Sequence, residues 1–261
     1  MKIIPLSEGA FSIDKTKQFI PFDKVNDTIQ QRAVGSLLVE IQPFCVVTSK
    51  DIIVIDTGLG FRNQEGVLQI HQNLMDHGIN PLDVTKVLMS HLHKDHAGGI
   101  SSVDKFQQKQ IFNFPNAIYY INQLELDAAL KNETDSKSTI DYELIAHSDQ
   151  VIATGDKGVI DELISYEVVG GHSPYHQVFW IEEGGQRIFF GGDVAPQLQQ
   201  MKSRLVAKYD YDGKKCMELR QEWWQKGATE NWTFLFYHDI KTPIYPGESL
   251  PPVSHSGKQE Q

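Results

Sequence analysis

The stretch His91-Leu92-His93-Lys94-Asp95-His96 decides how the rest of this sequence is interpreted. It brings three imidazoles and one carboxylate together within six residues. These are side chains that proteins use to bind Zn(II), and in some settings Fe(II) or Mn(II). Val87-Leu88-Met89 before the cluster and Ala97-Gly98-Gly99 after it predict a strand, a loop and then a sharp turn of the chain. We expect the loop to direct the four side chains to one point, since a helix would scatter them around its axis.

The cluster supplies too few ligands for a complete catalytic centre, and the candidates for the others lie at the ends of predicted apolar strands. They are His172, Asp193 and His238. Taken alone, a histidine at a strand end is more often a surface residue, and an aspartate after glycine is more often part of a turn. Because the ends of several strands meet at one edge of a sheet, these three residues and the cluster together predict one larger metal centre.

The apolar patterning predicts an α+β chain. Strands are predicted over residues 36–41, 44–48, 52–55, 84–89, 117–121, 164–169, 177–182, 187–190 and 233–237, the first three as an antiparallel meander. Helices are predicted over residues 66–78, 122–131 and 213–226, and a polar exposed loop over residues 132–138. Two β-rich halves with interspersed helices indicate an αββα sandwich, in which two sheets face each other and helices lie outside.

The domain organisation follows from the lack of an obvious linker. Two small α+β domains are the alternative, but no segment between residues 130 and 160 has the composition of a convincing linker. We therefore predict a single domain over residues 1–261. The proline-rich and polar stretch over residues 242–261 is predicted to be a flexible tail.

Composition and charge limit the classes of partner. The chain has 261 residues and a formal net charge of -10, which disfavours nucleic acid, although a metal centre could attract a small anion locally. No apolar run is long enough for a membrane span, and the N-terminus is unlike a signal peptide. Cys45 and Cys216 are predicted to be free, buried thiols rather than a disulfide. We expect a cytoplasmic protein with a small-molecule substrate and no nucleic-acid or membrane partner, and leave a homodimer open.

Three motifs and a late histidine resemble the metallo-β-lactamase superfamily in its hydrolase branch. The motifs are HLHKDHAGG at residues 91–99, GHSPYH at residues 171–176 and FFGGDV at residues 189–194, and the histidine is His238. The similarity spans roughly residues 35–240, and the lactonase-like, quorum-quenching members resemble the chain most. The resemblance implies a four-layer αββα sandwich with a dinuclear metal site at one edge of the two sheets.

The resemblance also implies a ligand set for two Zn²⁺ ions per chain, with Fe or Mn as alternatives. One metal would be bound by His91, His93 and His172, and the other by Asp95, His96 and His238, while Asp193 would bridge the two. Asp56, in the sequence Ile-Asp-Thr-Gly, matches the family position that supports a ligand histidine by a hydrogen bond from behind. Among the other histidines, His176, His71, His77, His147 and His255 are predicted not to bind metal, with His71 and His77 facing solvent from a helix.

The implied activity is metal-dependent hydrolysis of a lactone or other ester. Two metals would share a hydroxide that attacks the carbonyl carbon, and Asp95 would accept or relay a proton as a catalytic residue. Some lactonases of the family have a tyrosine three residues after the bridging aspartate, but this chain has Pro196 there, and it has Tyr175 where the family often has glycine. Tyr175, Tyr209 and Tyr237 are the candidate proton donors to the leaving group.

Two other activities use the same fold. One is that of an iron-dependent oxidoreductase, similar to the sulfur dioxygenases of the superfamily, which hold one iron and do not use the second site. The other is hydrolysis of a phosphotriester or a nucleic acid. The presence of His93, His96 and His238 favours two metals and hydrolysis, and the net charge of -10 disfavours a nucleic acid.

Overall fold

Two six-stranded β-sheets form the centre of the protein in a computed structural model that describes residues 1–104, 108–131 and 140–247. Strands are numbered along the chain. The first sheet has the order β1 (Lys2–Pro5), β5 (Phe44–Val47), β6 (Ile52–Ile55), β7 (Lys86–Leu88), β10 (Ile118–Asn122) and β11 (Val151–Thr154). The second has the order β12 (Lys157–Ile160), β13 (Ile164–Val168), β14 (Gln177–Glu183), β15 (Gln186–Phe190), β16 (Trp232–Leu235) and β17 (Ile244–Tyr245).

Two smaller sheets and six α-helices complete the described part of the chain. A three-stranded sheet has the order β3 (Phe19–Phe22), β2 (Gly9–Ile13) and β4 (Leu37–Ile41), and a two-stranded sheet pairs β8 (Ser101–Val103) with β9 (Gln110–Phe112). The helices are α1 (Gln69–Asp76), α2 (Lys94–Ala97), α3 (Gln123–Lys131), α4 (Tyr142–Ala146), α5 (Leu198–Met201) and α6 (Gly213–Glu230). Single 3₁₀ turns cover Ile29–Gln31, Pro81–Asp83 and Gly192–Val194.

Successive strand residues point to opposite faces of each sheet, and this alternation divides the interior into three apolar layers. Ile53 and Ile55 of β6 face the second sheet, whereas Val54 between them packs with residues of α1, α3 and α4. In β15, Phe190 faces the first sheet, whereas Phe189 packs with Cys216 and Trp223 of α6. The layers therefore run helix, sheet, sheet, helix, and the predicted αββα sandwich is confirmed.

The predicted strands and helices are present, and most of their ends differ from the predictions by a few residues. The strand before the histidine cluster is shorter than predicted and covers Lys86–Leu88, and the helix predicted to end at residue 226 continues to Glu230. The predicted meander is wrong in one respect. β4 pairs with β2 in the three-stranded sheet, whereas β5 pairs with β1 and β6, so the chain changes sheet at Gln42-Pro43.

Part of the predicted C-terminal tail belongs to the second sheet. β17 pairs antiparallel with β16, and Tyr245 packs against Trp224 of α6. The flexible-tail prediction is therefore wrong for this stretch, because an apolar Ile-Tyr pair completes the sheet edge. Residues 248–261, and with them His255, lie outside the described residues, as does the polar loop predicted at residues 132–138. Cys45 and Cys216 are free and buried, as predicted. None of the described helices is long and apolar enough to cross a membrane.

Strand direction brings the candidate ligands to one edge. β6, β7 and β10 are parallel, so the residues after them emerge on the same side of the first sheet. In the second sheet β13 and β15 run the same way, because each is antiparallel to β14, and β15 is parallel to β16. The segments that follow β7, β13, β15 and β16 carry all the candidate ligands. This explains why ligands as far apart in sequence as His91 and His238 can meet.

Candidate metal centre

The HxHxDH stretch combines a loop with one helical turn. His91 and His93 lie in the loop after β7, whereas Asp95 and His96 lie in α2, with His93 at its N-cap position. The prediction of a loop throughout is therefore wrong for the second half of the stretch. The chain turns after His93, so the side chains of both halves still meet.

The glycines after the cluster have a different role from the predicted sharp turn. Gly98 has an ordinary helical φ of -60°, and a Cβ there would collide with the carbonyl oxygens of Leu59 and Lys94. At Gly99 a Cβ would collide with the carbonyl oxygen of Thr57. The loop after β6 thus packs backbone to backbone against the end of α2, which only glycine permits.

Asp193 lies at the middle of the cluster. Its Oδ1 is 3.1 Å from Nε2 of His96 and 3.0 Å from Nε2 of His238, and its Oδ2 is 3.2 Å from Nε2 of His172. The carboxylate therefore presents one oxygen to each side of the centre. This is the arrangement that a bridging ligand requires, and the structure places it on the 3₁₀ turn Gly192–Val194.

The remaining ligand atoms form groups of the size that a metal ion needs. The potential ligand atoms of His91, His93 and His172 all lie within 4.8 Å of one another, and so do those of Asp95, His96 and His238. A third group, sharing residues with both, joins His91 and His96 to Asp193. The structure thus brings the seven residues predicted as ligands together at one place.

The second ring nitrogen of each of four histidines contacts an oxygen atom behind the centre. Nδ1 of His96 is 2.7 Å from Oδ2 of Asp56, and Nδ1 of His172 is 2.8 Å from Oδ1 of Asp210. Nδ1 of His238 is 2.7 Å from the Glu40 carbonyl oxygen, and Nδ1 of His91 is 3.0 Å from the Ser90 hydroxyl. A histidine that donates its Nδ1 proton in this way presents Nε2 as an acceptor, the state that a metal ligand needs.

Asp56 lies where the sequence resemblance predicted a supporting carboxylate. Besides His96 it accepts hydrogen bonds from the Ser90 amide and hydroxyl, both at 2.7 Å. Because Ser90 also contacts His91, Asp56 supports residues of both ligand groups. Its side chain is fully buried, and its backbone adopts a left-handed φ of 55° at the turn after β6.

Burial and charge act in opposite directions on the ring pKa values. Burial lowers the pKa of His91, and the neighbouring His96 and His93 add to that effect. For His96 and His238 burial also disfavours the charged ring, but Asp193 and Asp95 outweigh it and raise the pKa. Burial would raise the pKa of Asp193, yet the surrounding histidines lower it well below its usual range. The neighbouring His238, His96 and His172 therefore favour the charged form of the Asp193 carboxylate despite its burial.

Several buried polar atoms face the centre without a hydrogen bond. Within the described residues these include Nε2 of His91, and also Nε2 of His96 and Oδ1 of Asp193, which lie 3.1 Å apart but form no hydrogen bond of normal geometry. A buried polar atom without a partner normally costs free energy, so these atoms point to a ligand that satisfies them. Imidazole nitrogens and carboxylate oxygens in this number fit two borderline divalent cations such as Zn²⁺.

Two carboxylates at the centre were missed by sequence reasoning. Asp210, which holds His172, lies far from it in sequence and in a stretch that carries no motif. Glu125 lies on α3 and contacts the loops that carry His91, His93 and His172. Nothing in the local sequence separates these two residues from ordinary polar positions, and only the packing of the chain reveals them.

The three candidate proton donors differ in access. Tyr237 is fully buried, stacks on His96 and donates its hydroxyl proton to the Asp95 carbonyl oxygen at 2.6 Å, so it is committed to the fold and is wrong as a donor. Tyr209 is exposed, with its ring centroid 6.1 Å from that of His172 and its hydroxyl 3.4 Å from Nε2 of Gln200. Tyr175 is only partly buried and follows the exposed Pro174.

The histidines predicted not to bind metal occupy other places. His176 accepts a hydrogen bond from the Asp193 amide at 3.1 Å, so it holds the backbone of Asp193 from behind. His71 packs its ring against Phe114 and is partly buried, which corrects the prediction that it faces solvent, whereas His77 is exposed. His147 is exposed and contacts Glu143 one helical turn earlier.

The chain is similar to known proteins in sequence and in fold. One relative, the N-acyl homoserine lactonase of Bacillus thuringiensis, is 32% identical over 105 residues, which are 40% of this chain and only 36% of that enzyme. A probable metal-dependent hydrolase from Staphylococcus aureus has a similar fold, with a TM-score of 0.74, 22% identity and coverage of 94% of this chain and 91% of that one.

AidC, a dizinc quorum-quenching lactonase solved with a product, is also similar in fold. The TM-score is 0.69 and the identity 20%, with coverage of 98% of this chain and 92% of that one. The family model described as the Metallo-beta-lactamase superfamily matches residues 40–256, most of the sequence. The αββα layers, the position of the ligand groups at the strand ends and this match agree: the chain belongs to the metallo-β-lactamase superfamily.

Proposed function

We propose that this protein hydrolyses a lactone or another carboxylic ester with two zinc ions bound at the edge of its two sheets. The observation that carries the proposal is the position of Asp193, whose two oxygens lie 3.0–3.2 Å from Nε2 atoms of His238, His96 and His172. His91 and His93 complete one group with His172, and Asp95 completes the other with His96 and His238.

The chain's own residues fix the geometry in which the reaction takes place. When bound, two divalent cations activate water near neutral pH and stabilise the negative charge that develops on a carbonyl oxygen. Asp56, Asp210 and the Glu40 carbonyl keep the Nε2 atoms of the histidines directed inward. Oδ2 of Asp95 lies 3.5 Å from Nε2 of His238 and remains partly exposed, so it can accept a proton and pass it to the leaving alkoxide.

The choice of an ester rests on the relatives. The curated relative is an N-acyl homoserine lactonase, and AidC is a dizinc lactonase, so we propose a lactone or a related ester as the substrate. Pro196 occupies the position where some lactonases carry a tyrosine, so assistance to the leaving group must come from elsewhere. Tyr209, exposed beside His172, is the phenol best placed for that task.

The setting of the enzyme is also a proposal. Two free buried thiols suit the reducing conditions of the cytoplasm, and the net charge of -10 suits a small substrate rather than a nucleic acid. We further propose that residues 1–261 act as a single domain, since each main sheet packs one face against the other in a continuous apolar layer.

A metal analysis and a substrate panel test the function. The protein is purified, its metal content is measured, and the zinc-loaded form is assayed with lactones, thioesters, phosphotriesters and β-lactams. We expect two zinc ions per chain and fastest turnover of a lactone, and both should be lost in Asp193→Ala. One iron per chain would contradict the dizinc proposal. Two zinc ions with turnover of phosphotriesters alone would contradict the ester.

A further inference from the structure

Glu125 is a buried carboxylate between the two loops that carry the histidine-only ligand group. It lies in the first turn of α3, where the Asn122 side chain accepts hydrogen bonds from the amides of Leu124 and Glu125 at 3.0 and 3.1 Å. Asn122 in turn donates to the carbonyl oxygens of Thr154 and Gly155 on the adjacent strand end. The backbone of Glu125 is therefore fixed to the sheet, and the side chain, 7% exposed, extends from a rigid position.

Each oxygen of Glu125 contacts a different ligand loop. Oε1 accepts a hydrogen bond from the Leu92 amide at 3.2 Å, and Leu92 lies between His91 and His93. Oε2 accepts the hydroxyl proton of Ser173, the residue after His172, at 3.0 Å, and the Tyr175 amide also donates to the carboxylate. One side chain thus joins the two loops that must meet for this group to form.

The other ligand group is held by different residues. His96 contacts Asp56, and His238 contacts the Glu40 carbonyl oxygen, while the Tyr237 hydroxyl binds the Asp95 backbone. None of the contacts described for Glu125 reaches Asp95, His96 or His238. The relative position of the two loops that carry His91, His93 and His172 therefore depends on other contacts. The hydrogen bonds of Glu125 join these two loops.

A carboxylate at this buried position has a cost that argues for a role. Burial raises the pKa of Glu125, and the donors from Leu92, Ser173 and Tyr175 only partly offset that effect. An apolar residue would pack between the loops without this cost, but it could not accept hydrogen bonds from both.

We propose that Glu125 is a positioning residue that sets the distance between the His91–His93 loop and the His172 loop, and thereby the affinity of the histidine-only site for its metal. This inference rests on the proposed dizinc function. It differs from a general structural role because it predicts an effect on one of the two metal sites and not on the other.

The test measures each metal site in isolation. His238→Ala leaves the histidine-only site as the stronger one, and His93→Ala leaves the Asp95–His96–His238 site. Glu125→Ala is added to both parents, and zinc affinity is measured by competition with a chelator of known affinity. We expect the zinc affinity to fall about 10–100-fold in the His238→Ala parent and less than about threefold in the His93→Ala parent.

Three further variants separate positioning from folding. Asp127→Ala removes a carboxylate from the same helix, where it contacts only the exposed Gln123 amide in the bonds described, and should leave both affinities unchanged. Glu125→Gln can still accept from Leu92 and donate to the Ser173 oxygen, so we expect it to recover most of the affinity. If Glu125→Ala fails to fold, Ser173→Ala removes one arm of the contact and should lower the affinity of the histidine-only site alone.

The outcomes are distinct. Equal weakening in both parents, or no weakening in either, overturns the positioning role of Glu125 while leaving the dizinc proposal intact. Absence of metal binding in both parents and in the unmodified protein overturns the proposed function, and the inference with it.

Discussion

The substitution Asp56→Asn exchanges one carboxylate oxygen for an amide nitrogen behind the metal centre without changing the volume of the side chain. Asparagine tolerates the left-handed φ of 55° found at this position, so the loop keeps its conformation. In the native chain Oδ1 accepts from the Ser90 amide, while Oδ2 accepts from both the Ser90 hydroxyl and Nδ1 of His96, all at 2.7 Å. With the oxygen kept on the Ser90 amide, the new nitrogen faces His96.

The expected loss follows from the proton on His96. An amide nitrogen donates to Nδ1, which moves the ring proton to Nε2, the atom 3.1 Å from Asp193 in the centre. A protonated Nε2 cannot bind a metal. Metal binding would first have to break the buried, charge-assisted contact between this Nε2 and Asp193, which is worth about 1.5–3 kcal/mol. At about 1.4 kcal/mol per tenfold change, zinc affinity should fall about 10–100-fold.

Chelator competition measures the zinc affinity directly. Hydrolysis at saturating zinc measures the activity that remains once the site is filled. Asp76→Asn on the exposed end of α1 is the matched control and should behave like the native protein. We expect kcat/KM of Asp56→Asn to recover in large part when zinc is in excess. Zinc affinity within about twofold of the native value would refute the reasoning.

Three other predictions concern stability and access. Burial raises the pKa of Glu8 from its ordinary 4.5 to about 7, so folding binds a proton between these two pH values. The free energy of unfolding of the metal-free protein should therefore fall by up to about 3 kcal/mol as the pH rises from about 4.5 to about 7. Urea titrations of Glu8→Gln should lack this fall. Burial raises the pKa of Cys45 and of Cys216 to about 12, so a thiol reagent at pH 8 should label both only after unfolding, and rapid labelling of the native protein would contradict this. Gly99→Ala places a Cβ against the Thr57 carbonyl and should destabilise the protein by about 1–3 kcal/mol in thermal unfolding. Gly155→Ala is the control, because there is open space around Gly155, and it should be near neutral. Equal effects of the two substitutions would count against the close packing at Gly99.

The elements that the sequence predicted correctly have a strong local signal. The continuous apolar run Ile52–Ile55 and the Glu183-Gly184-Gly185 turn between β14 and β15 are each specified by a few adjacent residues. The N-terminal strands were not predicted, and both β1 and β3 contain a proline, which normally argues against a strand. β1 pairs with β5 and β2 pairs with β4, both much later in the chain, so the position of these strands is decided by contacts that local patterning does not contain.

The candidate site shows the same division. The seven ligand candidates could be named because strand-end histidines and aspartates stand out, and because the motifs resemble a known family. Asp210 could not be predicted as the partner of His172, because the sequence does not distinguish it from Asp212 two residues later. Asp212 instead caps α6, where it accepts a hydrogen bond from the Lys215 amide at 3.0 Å. Glu125 has the spacing of an ordinary polar helix position, and only the fold shows that it is buried.

The spread of the ligand groups along the chain, from residue 91 to residue 238, has a consequence for how the protein folds and unfolds. Contacts between residues so far apart close long loops, and they form late because that closure is entropically costly. A metal that binds only the assembled centre therefore finds no site in the folding transition state, so it leaves the folding rate unchanged and slows unfolding. Chelation should shorten the lifetime of the native chain exponentially with the binding free energy that it removes, which makes the centre a reversible crosslink between the two halves of the sequence.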